Sequence, residues 1–275
     1  MIRDHAMAIR DVHLRYFQAG ADVAITDTYQ ATIAGFQKAG ISEEEGNHLI
    51  KAAVWAADEA RQIFWEQLAA TERDARLYPI IAGSVGPYGA YLADGSEYTG
   101  AYSLNRRDYQ SFHFSRMNAL KEADVDLFAF ETMPNMDEVE ALIDLLEKDF
   151  PEASAWVSFS LGDPEHLCDG TLLEKAAAWA GAHEAIAAVG VNCLPAQWAS
   201  QAITSVRRGT DKPVIVYPNS GETYDPQTKS WHHPVAHVDY GQSSRQWFQL
   251  GASLLGGCCR TSPDEIRKIA EWACN

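Results

Sequence analysis

A chain of 275 residues with 47% apolar content and a formal net charge of -16 can bury one core of ordinary domain size. Its acid excess, 38 Asp and Glu against 22 Lys and Arg, argues against a phosphate-backbone partner, which needs a basic footprint. No apolar stretch approaches the roughly 20 residues that span a bilayer, and the opening MIRDHAMAIR carries charge where a secretory leader needs an apolar run. The expectation is therefore one cytoplasmic domain over residues 1–275 that binds neither nucleic acid nor membrane.

Residues 6–19 read as a helix with Val12, Tyr16 and Ala19 on one face. A β-rich run, VAITDTY from Val23, follows, and SEEE at 42–45 marks a helix start. Next come PIIAGSVG from Pro79, DLFAFET from Asp126, the helical pattern DEVEALIDLLEK at 137–148, and SAWVSFS from Ser154. IAAVGVNC from Ile186, PVIVYPNS from Pro213 and ASLLGGCC from Ala252 complete the runs, and Ser262, Pro263 and Asp264 open a last helix. Such near-continuous apolar runs suit parallel strands covered on both faces, and the spacing leaves room for a helix between them. No linker divides the chain.

Two architectures fit this alternation, the doubly wound open sheet and the (β/α)8 TIM-type barrel. No GxGxxG follows the first strand and no GxxxxGK[ST] occurs, so nucleotide binding lacks its usual support. The barrel is favoured because unusual residues sit at the C-terminal ends of many strands: Asp27, Glu131, Asn192, Cys193, Asn219, Cys258 and Cys259. A barrel gathers those ends into one ring. The runs number seven, however, so the expected barrel lacks its first strand.

Five cysteines, an odd number with no leader, argue against a disulfide framework. Cys193, Cys258 and Cys259 end two strands and would converge, and three thiolates with an open fourth position is a catalytic zinc layout. Adjacent strand residues face opposite sides, so a vicinal pair needs the conformational freedom of Gly256 and Gly257 to reach one ion. By spacing alone three readings stand open: zinc, inert buried thiols, or a vicinal redox disulfide. Cys168 and Cys274 read as incidental. His232 and His233 in WHHP look metal-like but lack a third partner.

VGVNC, GGCCRTSP, FETMPN, GSVGPYGAYLADGSEY and YPNSGE together resemble the zinc-dependent homocysteine S-methyltransferases, particularly the branch using S-methylmethionine. The resemblance implies a (β/α) barrel, a Zn2+ site at Cys193, Cys258 and Cys259, and Glu131 as the ligand of the homocysteine amino group. The implied substrates are homocysteine and a sulfonium methyl donor, S-methylmethionine or S-adenosylmethionine, giving methionine. Asn192 and Asn219 either orient substrate or satisfy turns. Tyr88, Tyr91 and Tyr98 either face the sulfonium or pack a lid. Relatives begin with a strand and an Asp-Gly loop, and nothing before Asp11 matches them. The chain is therefore expected to be N-terminally truncated, with open strand edges, low stability and little turnover until one more strand-helix unit is supplied. A zinc- or amino-acid-binding barrel without turnover and a vicinal-dithiol redox protein are the alternatives.

Overall fold

The apolar runs form seven parallel strands. The computed structural model describes residues 2–225, 230–232 and 238–273. Its main sheet comprises β1 (Val23–Ile25), β2 (Ile80–Val85), β3 (Leu127–Met133), β4 (Ala155–Phe159), β5 (Ile186–Asn192), β6 (Val214–Tyr217) and β7 (Ala252–Leu255). Each begins at the first residue of its run or one later. The strands hydrogen-bond in chain order, every pair parallel.

Helices alternate with them: α1 (Ile2–Gln18), α2 (Glu43–Gln67), α3 (Arg106–Glu122), α4 (Met136–Asp149), α5 (Leu173–Gly181), α6 (Ala199–Gly209), α7 (Tyr240–Gln249) and α8 (Pro263–Ala273). Their starts follow capping chemistry. Ser42 Oγ accepts from Glu45 N at 3.2 Å and Asn135 Oδ1 from Glu138 N at 3.0 Å, each satisfying an amide that lacks a helical partner. α4 buries Val139, Leu142, Ile143 and Leu146 completely, and truncating one of these to Ala would cost about 2–5 kcal/mol. Among the described residues, no helix is long and apolar enough to cross a membrane.

Two apolar layers result. The larger lies between strands and helices. The smaller joins Ala82, Ala129, Trp156, Ala188, Ile215 and Tyr217 with Val23, Ile25 and Leu254. Because that cluster takes residues from the first strand and the last, the sheet must curl around it, with small residues on β2, β3 and β5 making room for Trp156. This is the (β/α) barrel architecture with seven strands.

Among the described residues the ring is not closed by strand pairing, since β1 and β7 are the two ends of the sheet. The inner strands β3 and β4 are almost wholly buried, whereas β1 and β7 are each partly exposed. A cavity of about 670 Å³ lies in the gap, lined from within by Trp156, Ile215 and Tyr217 and from outside by α1 and α8. Those helices hold the ring's outer side. Tyr16 OH donates to Thr261 O at 3.0 Å, and a Cβ on Gly20 would come within 2.4 Å of Ala270. The face of α1 that carries Val12, Tyr16 and Ala19 is therefore divided. Ala19 is buried, but Val12 and Tyr16 border the cavity, and Ile9 and Phe17 supply the helix's buried contacts instead.

Candidate functional site

The C-terminal ends of β3, β5, β6 and β7 meet on one side of the barrel. Cys193, one residue past β5, adopts φ 54°, a left-handed conformation uncommon for a residue with a Cβ. It is anchored by its amide, which donates to Tyr217 O at 3.1 Å. Cys258 N donates to Pro218 O at 2.8 Å, and Cys259 N to Asn219 Oδ1 at 3.1 Å. The loop after β6 thus holds both members of the vicinal pair. The three Sγ atoms lie within 4.8 Å of one another, with Cys193 and Cys259 at 3.5 Å.

Gly256 and Gly257 act differently from expectation, because neither has a left-handed φ. What they provide is space. A Cβ on Gly257 would meet Thr261 Oγ1 at 2.5 Å, and one on Gly256 would meet Tyr217 Cβ at 3.3 Å. Thr261 Oγ1 in turn donates to Cys258 O at 2.7 Å.

The cluster fits a thiophilic cation. Tetrahedral zinc-thiolate geometry sets sulfurs about 3.8 Å apart, inside the range seen here. Without a cation the thiols compete for ionisation. Hydrogen bonds from Cys193 and then Cys258 pull the Cys259 thiol down. Its bonds to Cys193 and Cys259, together with burial, push Cys258 well up. At Cys193 a hydrogen bond with Cys258 lowers the thiol, but its bond to Cys259, burial and the Cys259 charge outweigh it and the balance is upward. Three thiolates at this spacing need a positive charge between them.

Glu131 is 7% exposed. It accepts from Ser84 Oγ and, at 3.1 Å, from Tyr217 OH. Burial pushes its carboxyl up to about 7, against the opposing pull of those two hydroxyls. Each carboxylate oxygen keeps lone-pair capacity for a further donor. Asn192 is buried and its amide is committed: Oδ1 accepts from Thr132 N at 2.7 Å and Ser158 Oγ at 2.8 Å, while Nδ2 donates to Thr132 Oγ1 at 2.8 Å. Thr132 has φ 60°, costing about 1–3 kcal/mol for such a residue. Asn192 therefore holds the strained end of β3 beside Glu131. Asn219 holds Cys259.

Of the three loop tyrosines only Tyr98 reaches the thiols, its OH lying 3.4 Å from Cys193 Sγ. Tyr88 and Tyr91 pack on Phe112, with ring centroids 4.9 and 5.4 Å away. Asp27 is exposed at the end of β1. His232 is exposed in a small hairpin and takes no part in the thiol cluster. His233 and Cys274 lie outside the described residues. Cys168 points instead to Ser160 Oγ at 3.6 Å.

Sequence reading passes over Ser84 and Tyr217, whose signal is a hydroxyl within an otherwise apolar strand run. It also misses a buried relay on α3. Arg116 donates to Tyr29 O at 2.8 Å and Gly86 O at 2.6 Å, and approaches His113 Nδ1 at 2.8 Å. His113 Nε2 lies 2.7 Å from Glu138 Oε1, which also accepts from Tyr88 N at 2.6 Å. Burial lowers His113, and Arg116, which can only donate, leaves Nδ1 to accept and Nε2 to donate to Glu138. The relay ties the loops after β1 and β2 to α4.

A curled parallel barrel carrying three converging thiols and a buried acid defines a thiol-chemistry enzyme, and the chain belongs to the homocysteine S-methyltransferase family, whose pattern matches residues 1–273. It is 50% identical to the homocysteine S-methyltransferase YbgG of Bacillus subtilis over 96% of this chain and 83% of that protein. It is 46% identical to the homocysteine S-methyltransferase of Escherichia coli over 95% of this chain and 83% of the relative. The metallated form of the Escherichia coli homocysteine methyltransferase MmuM superposes with a TM-score of 0.86 at 40% identity, covering 98% of this chain and 86% of that one.

Proposed function

We propose that this chain transfers a methyl group from a sulfonium donor, S-methylmethionine in the first instance, to the thiolate of homocysteine, giving methionine. The observation that carries the reading is the convergence of Cys193, Cys258 and Cys259 from two strand ends, next to a buried acid. These thiols would hold Zn2+, which when bound supplies a deprotonated but still electron-rich substrate sulfur. A zinc hydrolase works with His or carboxylate ligands instead, which leave the ion able to acidify water.

The protein's own groups handle recognition. Glu131, fixed by Ser84 and Tyr217, takes the homocysteine ammonium, and binding of that cation offsets the burial that raises its carboxyl. Asn192 and Asn219 position β3 and Cys259. Tyr98, partly exposed, sets its hydroxyl 3.4 Å from Cys193 Sγ. Starting from the thiolate, methyl transfer forms one carbon-sulfur bond as another breaks and the donor departs as a neutral thioether, so this step needs no general acid or base. The remaining demand is alignment of the two sulfurs and the methyl carbon. The domain is taken as one unit over residues 1–275.

The test is metal analysis and turnover of protein purified under reducing conditions. About one zinc ion per chain is expected, and Cys193→Ser, Cys258→Ser or Cys259→Ser should each lose metal and activity together. A zinc-free, fully active Cys259→Ser protein refutes the assignment.

A further inference from the structure

Glu97 lies in the short 3-10 turn Ser96–Tyr98 and is 9% exposed. Among the described residues its Oε2 is buried with no hydrogen-bond partner. Unused buried acceptors are costly, and a carboxylate more so than a neutral group. The turn is firmly placed. Tyr98 N donates to Gly95 O at 2.9 Å and Gly100 N to Ser96 O at 2.8 Å. Asp94 Oδ1 accepts from Ser96 N at 3.0 Å. Gly89 packs so closely that a Cβ there would lie 2.6 Å from Glu97 N. The neighbouring residue, Tyr98, puts its hydroxyl on Cys193. The Tyr29 hydroxyl approaches the Thr132 side chain, next to Glu131, and lies within electrostatic reach of Glu131, Glu97 and Cys193.

Methyl transfer between two amino acids brings two ammonium groups to this mouth. Glu131, at the strand end between Ser84 and Tyr217, is the inner acid and is assigned above to the nucleophile. Glu97 is the second, carried on the turn whose Tyr98 reaches Cys193. We propose that Glu97, with the Tyr29 hydroxyl, binds the α-ammonium of the methyl donor and thereby selects an amino-acid sulfonium. This deepens, and rests on, the activity proposed above.

The charge balance of the reaction says which cation Glu97 should hold. A thiolate attacks the sulfonium methyl, and two neutral thioethers result. A carboxylate placed on the sulfonium would stabilise reactants more than the transition state and slow the step. The ammonium keeps its charge throughout, so a carboxylate on it contributes equally to both states and acts on KM rather than kcat. Burial pushes the Glu97 carboxyl up, and the neighbouring Asp94 and Cys193 add to this. An incoming ammonium relieves that strain.

The experiment compares wild type, Glu97→Gln and Glu97→Asp in two donor arms, S-methylmethionine and its analogue lacking the amino group, with homocysteine varied separately. Loss of a charge-assisted hydrogen bond should raise the S-methylmethionine KM of Glu97→Gln roughly 10- to 100-fold, with kcat and the homocysteine KM unchanged. The preference for the amino-bearing donor should shrink by a similar factor, and Glu97→Asp should recover part of it. Calorimetric titration of S-methylmethionine into the metal-loaded protein without homocysteine should show the same loss. An unchanged donor KM, or a shift in homocysteine KM instead, overturns the proposal. If wild type turns over neither donor, the activity itself fails, while the titration still decides whether Glu97 holds the sulfonium amino acid.

Discussion

Replacing Glu131 with Gln removes an ionisation and keeps the side chain's shape, which isolates the energy of burying that carboxylate. Its carboxyl is pushed up to about 7 from an ordinary 4.5. Two to three units, at about 1.4 kcal/mol each, come to roughly 3 kcal/mol. The sign follows from proton counting. Between those two values the folded protein keeps a proton that the unfolded chain has released, so this group's contribution is intact below about pH 4.5 and declines until the pH passes about 7. Glu131→Gln has no such loss. In urea unfolding with chelator and reductant, the stability of Glu131→Gln relative to wild type should swing by roughly 2.5 kcal/mol in the variant's favour between pH 5 and pH 8. Any constant offset from turning the amide against Ser84 and Tyr217 cancels in that difference. Parallel pH profiles for the two proteins would show that Glu131 is not a buried, proton-holding acid.

Two further outcomes rest on other contacts. Arg116→Met leaves Glu138 buried without its neighbouring charge and frees the loops after β1 and β2, so unfolding free energy should fall by about 3–5 kcal/mol; a loss under 1 kcal/mol in a urea titration would show the relay to be dispensable. Gly257→Ala drives a Cβ toward Thr261 and so displaces Cys258, and should weaken zinc binding in a competition titration by about 10-fold or more while the melting profile of the zinc-free protein stays close to wild type. Undiminished zinc affinity would mean that the close approach at Gly257 does not set the thiol geometry.

The seven strands were legible because parallel strands covered on both faces carry near-continuous apolar sequence, and each run from Val23 to Ala252 became a strand. The thiol cluster was legible because Cys193, Cys258 and Cys259 stand at strand ends, where barrel topology alone brings them together. What stayed hidden depends on neighbours distant in sequence. Nothing in VIVYPN says that the Tyr217 hydroxyl reaches Glu131 on β3, and nothing in SFHFSR says that His113 and Arg116 point inward to hold carbonyls of other loops. Asn192 shows the limit most clearly. Its position at the mouth left open whether it orients substrate or satisfies a turn, and its amide bonds Thr132, whose left-handed backbone no local pattern announces. Val12 and Tyr16 share one helix face as expected, and nothing local says that it borders a cavity.

The gap between β1 and β7 gives this barrel a property that a closed one lacks, a place where deformation can begin. In a closed ring every strand is held on both sides, and freeing one requires breaking two ladders at once. Here each terminal strand is held on one side only, and the helical clasp of Tyr16 on Thr261 and Gly20 against Ala270 sits outside the sheet. Opening should therefore start at β1 and β7 and stop at the doubly held β3, β4 and β5, at a free energy below that of global unfolding. The thiol cluster spans that divide. Cys193 extends from β5, within the resistant part, while Cys258 and Cys259 extend from β7, which can part first. An ion shared by the three thiols would tie the strand that opens most readily to one of the last to yield, so a single bound cation would act as a latch on the whole ring.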